Sequence, residues 1–118
     1  MKEYHPGLHI IASFETNNVN HFTDIHACKT HFDQLITDLN LTKLGEVYHH
    51  FPQGGFTAVI GLTESHLSIH TWPEFNHATF DVFLSNYEMV NDQKAQILFQ
   101  SLIEKMEGKV KSYTEIKR

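Results

Sequence analysis

Phe56-Thr57-Ala58-Val59-Ile60-Gly61-Leu62-Thr63-Glu64-Ser65-His66-Leu67-Ser68-Ile69-His70-Thr71-Trp72-Pro73 decides the fold. Phe56 to Leu62 is an apolar run rich in β-branched side chains and reads as a strand. A short polar break follows. His66 to Trp72 then alternates strictly, with His66, Ser68 and His70 on one side and Leu67 and Ile69 on the other, which is the period of a strand. Pro73 has no N–H to give to a ladder and ends it. Two strands this close in sequence predict an antiparallel hairpin.

The reading extends outward in both directions. Lys43 to Phe51 reads as a strand, and Pro52-Gln53-Gly54-Gly55 as the turn that joins it to Phe56. His77 to Ser85 is a further strand, with Phe80, Val82 and Leu84 alternating against Thr79, Asp81 and Phe83. Gly7 to Glu15 is the first strand, with His9, Ile11 and Ser13 on one face and Leu8, Ile10, Ala12 and Phe14 on the other; residues 1–6 read as a loose end. Asn17 to Asn20 is turn-like. Thr23 or Asp24 is suited to cap a helix whose stripe is Ile25, Cys28, Phe32, Leu35, Ile36 and Leu39, fading at Asn40. Asn91 or Asp92 caps a second, with stripe Ala95, Leu98, Phe99, Leu102 and Met106 and Gly108 as its C′ residue. Lys109 to Lys117 alternates weakly and reads as an edge strand guarded by lysines. The order β-α-β-β-β-β-α-β predicts an α+β two-layer sandwich, an antiparallel sheet with two helices on one face. The uncovered face would be partly apolar, so a homodimer is expected.

Composition narrows the function. The 118 residues make one domain, 1–118, with no repeat, linker or low-complexity tract. Hydrophobic residues are 41%, enough for a packed core. Nine basic against fourteen acidic residues give a net charge of −5, which argues against nucleic acid or an anionic membrane as partner. The longest apolar stretch falls far short of the roughly 20 residues of a bilayer span. With no secretory leader in view and a single cysteine, Cys28, a cytoplasmic location is expected.

Ten histidines raise the question of a metal. His66 and His70 are four apart, a zinc-ligand spacing on a helix, but in a strand they stand about 13 Å apart. One ion with bonds of about 2.0–2.1 Å cannot join them. His21, His26 and His31 scatter around a helix, and His49 and His50 point to opposite sides of a strand. No metal site is expected from these spacings.

The run Thr63-Glu64-Ser65-His66-Leu67-Ser68-Ile69-His70-Thr71-Trp72-Pro73-Glu74 resembles the processing-site signature of the prokaryotic pyruvoyl-dependent S-adenosylmethionine decarboxylases. The Gly7-Leu8-His9 start of the first strand and the Asp81 strand after the motif also fit. The resemblance implies that the serine hydroxyl at Ser65 attacks the carbonyl of Glu64 in an N-to-O acyl shift. β-Elimination of the ester and loss of ammonia would then leave a pyruvoyl group, derived from Ser65, as a covalent, self-generated cofactor. The pieces would be residues 1–64 and 65–118. A pyruvoyl carbonyl forms a Schiff base with a substrate amine and accepts electrons as carbon dioxide leaves.

The resemblance also implies roles. Glu64 and Ser65 flank the scissile bond. His70 matches the histidine that removes the α-proton in processing, and Thr57 stands where the family has a serine that stabilises the tetrahedral intermediate. Phe51 matches an aromatic that stacks on the substrate adenine, and Glu74 a carboxylate for the ribose hydroxyls. Three departures stand out. Ser85 occupies the place of the family's catalytic cysteine, Ala58 follows Thr57 where glycine is usual, and Ser13 stands where the first strand commonly carries an acid. A thiol with pKa near 8.5 gives up a proton far more readily than an alcohol. His66, Tyr87 or a water would have to replace it as the proton donor. The readings left open are an S-adenosylmethionine decarboxylase proenzyme serving spermidine biosynthesis, a pyruvoyl decarboxylase of arginine or ornithine, and an uncut, non-catalytic relative that binds a ligand.

Overall fold

The computed structural model describes residues 3–118; residues 1 and 2, part of the expected loose end, lie outside the described residues. The strands are β1 (Leu8–Thr16), β2 (Lys43–His50), β3 (Phe56–Leu62), β4 (Ser65–Trp72), β5 (His77–Leu84) and β6 (Gly108–Lys117). The helices are α1 (Ile25–Asp38) and α2 (Asp92–Lys105). Short 3₁₀ turns at Val19–Phe22 and Pro73–Phe75 complete the order.

One sheet of six strands runs β2-β3-β4-β5-β1-β6. All neighbouring pairs are antiparallel. β2 to β5 form a meander, as their short connections require. β1 returns to lie beside β5, and β6 pairs with β1 as the expected edge. The rest of the loose end is tied down: Tyr4 OH donates to Arg118 O at 2.7 Å and Asn86 Nδ2 to Pro6 O at 3.0 Å.

Both helices cover the same face. Ile10, Ala12 and Phe14 of β1, Ala58 and Ile60 of β3, Leu67 and Ile69 of β4 and Phe80 and Val82 of β5 are buried beneath them. Phe80 is the joint. Phe32 of α1 stacks on it at 5.9 Å and Phe99 of α2 at 6.2 Å between ring centroids. The Asp24 side chain caps α1 by accepting from the Ala27 N–H at 3.0 Å. At the end of α2 the left-handed residue is Glu107, φ +52°, and not Gly108, which already begins β6. A Cβ on Gly108 would lie 2.9 Å from the Phe14 ring, so glycine serves packing there instead of the turn. Among the described residues no helix is long and apolar enough to cross a membrane.

The opposite face of the sheet has no layer over it among the described residues. It exposes Ile11, Val47, Val59, Trp72 and Ile116 between polar side chains. That pattern matches the expected uncovered, partly apolar face.

Phe80→Ala removes the ring on which both helices stack. It should lower stability by about 3–5 kcal/mol, read as a shift of the urea unfolding midpoint at unchanged slope.

Candidate active site

Four of the proposed site residues meet at one end of the sheet. The turn after β2 closes tightly: Phe51 N–H donates to Gly55 O at 2.8 Å and Gly54 N–H to Phe51 O at 3.0 Å. Gly54 takes φ +104°, and a Cβ on Gly55 would stand 2.4 Å from Thr71 O, so this turn requires both glycines. Thr57 and His70 are register partners across β3 and β4, and Thr57 Oγ1 lies 3.0 Å from His70 Nδ1. Pro73 ends β4 and turns Glu74 towards the same place. Phe51, Thr57, His70, Trp72 and Glu74 thereby line a cleft of about 300 Å³. Beneath it, buried Thr71 Oγ1 accepts from Phe56 N–H at 2.9 Å and donates to Phe22 O at 2.7 Å, which locks the turn to the sheet.

Ser65, Glu64 and Ser85 meet at the other end. Ser65 begins β4 with φ +144°, a backbone conformation that an L side chain rarely adopts. Such residues cost on the order of 1–3 kcal/mol and persist only where their surroundings hold them. Here the surroundings are its ladder partners Leu62 and Leu84. The Ser85 N–H donates to Glu64 O at 2.7 Å, so the carbonyl before Ser65 is already polarised. Ser85 is held in turn, because Asn91 Nδ2 donates to its carbonyl at 2.8 Å. Gly7 lets β1 approach this corner, since a Cβ there would meet Leu84 O at 2.2 Å and Ser85 Cα at 2.9 Å. Glu64 and Ser85 line a second cleft of about 360 Å³.

The two groups do not meet within one chain. Ser65 and His70 are five residues apart on one strand, about 16 Å at the usual rise. Cys28 offers no thiol to either end. It is 2% exposed in the α1 stripe, and burial, with the Asp24 carboxylate adding to it, pushes its pKa up to about 12.

A third group lies on the open face. Asp81 Oδ2 is 2.9 Å from His9 Nε2 and 3.2 Å from His66 Nε2, while its Oδ1 accepts from Ser68 Oγ. Burial alone would raise the Asp81 carboxyl, but the hydrogen bonds from Ser68, His9 and His66 outweigh it and hold it below the ordinary carboxylate range. The sequence offers His66 as a metal ligand only beside His70, and otherwise as a substitute proton donor. Its partners come from strands β1 and β5, and the alternation had already set His9 and Asp81 opposite the apolar positions. What was missing was the strand order. Trp72 of the first cleft was also passed over, although it shares a strand face with His70.

Comparison with known proteins bears on the whole chain. The family model described as S-adenosylmethionine decarboxylase matches residues 8–118. The chain belongs to the S-adenosylmethionine decarboxylase family. Proteins of this family are pyruvoyl-dependent. An S-adenosylmethionine decarboxylase proenzyme from Thermodesulfovibrio yellowstonii is 33% identical over 115 residues, 98% of this chain and 82% of that protein. One from Archaeoglobus fulgidus is 31% identical over 84% of this chain and 85% of its own length. One from a Sulfurihydrogenibium species is 40% identical over 80 residues, 65% of this chain and 58% of that protein. The crystal structure of the adenosylmethionine decarboxylase from Aquifex aeolicus superimposes with a TM-score of 0.83 at 27% identity, over 98% of this chain and 92% of that one. The expected fold and family are therefore both found.

Asp81 also sets an acid limb. Its folded pKa lies below the ordinary 3.8, so its contribution is complete above that value and is lost as pH falls through the folded one. Between about pH 5 and pH 2 the urea midpoint of the wild type should fall more steeply than that of Asp81→Asn, which should start lower and run flatter.

Proposed function

We propose that this chain is the proenzyme of an S-adenosylmethionine decarboxylase that cuts itself between Glu64 and Ser65, and that its working site is completed by a second copy. The single observation that carries the cut is the strained Ser65, φ +144°, beside a Glu64 carbonyl held by the Ser85 N–H at 2.7 Å. Strain raises the energy of the peptide that must react. The N–H stands ready for the negative charge that develops on that oxygen, where a preorganised donor contributes most.

The chemistry follows from those two groups. Ser65 Oγ adds to the Glu64 carbonyl carbon, the C–N bond breaks, and the amide becomes an ester with a free Ser65 amine. A base removes the Ser65 α-proton and the Glu64 carboxylate leaves from Cβ. The remaining enamine tautomerises, takes up water and releases ammonia, leaving a ketone at the new amino end of the 65–118 chain. That carbonyl supplies an electron sink for the pair released when a substrate carboxylate departs.

His70 is the base in this scheme, an imidazole that can take a proton and pass it on. Its Nδ1 faces Thr57 Oγ1, which orients the ring. In the same cleft the Phe51 face suits the adenine, and an aromatic face also attracts a sulfonium cation. The two oxygens of Glu74 suit a vicinal diol.

His70 reaches Ser65 only between copies. A second chain related by a two-fold axis, laid on the open face, sets the Phe51–His70 end of one sheet beside the Ser65 end of the other. The apolar side chains exposed there, Ile11, Val59 and Ile116 among them, support that face as the contact.

Intact mass is the first test: wild type should give two pieces, 1–64 and 65–118, and Ser65→Ala one. A preparation that stays whole after long incubation overturns the reading. His70→Ala should stop at the ester, which hydroxylamine cleaves. Mixed dimers of Ser65→Ala and His70→Ala should process the His70→Ala chain, because one of their two sites keeps both groups; no rescue would place both groups in one chain. Carbon dioxide release from labelled S-adenosylmethionine should exceed that from labelled arginine or ornithine.

Ser85→Cys should leave the cut unchanged, since the cut uses the backbone N–H. It should raise turnover and lengthen the active life of the enzyme by supplying a more acidic proton donor. A fall in turnover would assign the Ser85 hydroxyl a role of its own.

A further inference from the structure

The His9, His66 and Asp81 cluster has no part in the scheme above, and its geometry is that of a ligand set. The register of three adjacent strands builds it. His9 of β1 and His66 of β4 both pair with Phe83 of β5, one from each side. Asp81 is the next residue of β5 on the same face. The two imidazoles therefore flank the strand that carries the carboxylate, and His9 Nε2, His66 Nε2 and Asp81 Oδ2 lie within 4.8 Å of one another.

The geometry points to a site for one divalent first-row transition-metal ion, of the zinc, cobalt or nickel kind, bound by His9 Nε2, His66 Nε2 and Asp81 Oδ2. Ligand atoms 2.9 and 3.2 Å from Asp81 Oδ2 subtend about 90–105° at an ion with bonds of about 2.0–2.1 Å, between octahedral and tetrahedral values. Two imidazole nitrogens with one carboxylate oxygen select such ions over magnesium or calcium, which prefer all-oxygen sets. Ser68 Oγ holds the other carboxylate oxygen, as the outer shell of a metal site commonly does. His9 is nearly buried, whereas in the single chain the His66 side chain is 40% exposed and Asp81 26%, which gives the ion a way in before a second copy is laid on this face.

One contact opposes the ion. Arg118 Nη1 lies 3.3 Å from His9 Nδ1, a contact that favours the tautomer with its proton on Nε2. Binding through Nε2 moves that proton to Nδ1, so the exposed Arg118 side chain must swing away. Arg118 thereby tunes the site, and its removal should tighten it.

The test is cobalt absorption and zinc calorimetry on the untagged full chain. Wild type and uncut Ser65→Ala are run side by side, so the result does not depend on whether the cut occurs. One ion per chain is expected. His66→Gln should weaken binding at least tenfold, and Arg118→Ala should strengthen it several-fold, with circular dichroism confirming the fold of each. His49→Gln with His50→Gln should change nothing. The absence of saturable binding, equal affinity in His66→Gln and wild type, or binding lost with His49 and His50 would each overturn the site.

Discussion

A hydroxyl-bearing residue is held at φ +144° where two strands turn into each other, and the rest of the molecule serves to keep it there. An isolated turn would relax such a residue into an ordinary region at a gain of about 1–3 kcal/mol. The sheet prevents this by fixing Ser65 from both sides, against Leu62 of β3 and Leu84 of β5. Those partners are fixed in turn by the core, because Leu62 and Leu84 are both buried under the helices. The stacking of Phe32 and Phe99 on Phe80 therefore bears on a backbone angle at the end of a neighbouring strand. Stability of the fold and readiness of the bond are one constraint seen at two distances.

The length of β4 imposes the next constraint. It carries Ser65 at one end and His70, next to Trp72, at the other, and a strand is too stiff to bring its own ends together. In the proposed scheme the base that serves Ser65 therefore comes from a second copy turned end for end. The open face also carries polar groups that would be costly to bury alone. His9, His66, Ser68 and Asp81 satisfy one another within one chain, which lets that part of the face be covered without stranding a charge.

Much of the fold was legible from local chemistry. An apolar run placed β3, alternation placed β4, Pro73 ended β4, Asp24 was one of two cap candidates for α1, and the stripes of both helices face the core. What local pattern could not reach was anything set by strand order. Nothing in the period of β1 says that it returns to lie between β5 and β6, and so nothing joined His9 to His66 and Asp81. Gly108 misled for a related reason. Glycine after a helix ordinarily marks the left-handed residue, but here Glu107 takes that conformation and Gly108 yields space to Phe14. The candidate site divided along the same line. Thr57 and His70 follow from adjacent-strand register, whereas the distance from His70 to Ser65 depends on which end of a strand each occupies.

The departures from the family pattern fall unevenly on the two tasks proposed for this chain. The cut draws on the Ser85 backbone N–H, which any residue but proline supplies, and on a hydroxyl facing His70, which Thr57 retains at 3.0 Å. Neither substitution removes a group that the cut requires. Turnover draws on the side chain at Ser85, and there a thiol has given way to an alcohol of much weaker acidity. Ser85 also sits in a corner closed by Gly7 and tied by Asn91, so the backbone that serves the cut is fixed independently of the side chain. Selection on the cut and selection on turnover can therefore act separately at one residue, through its amide for the first and its side chain for the second.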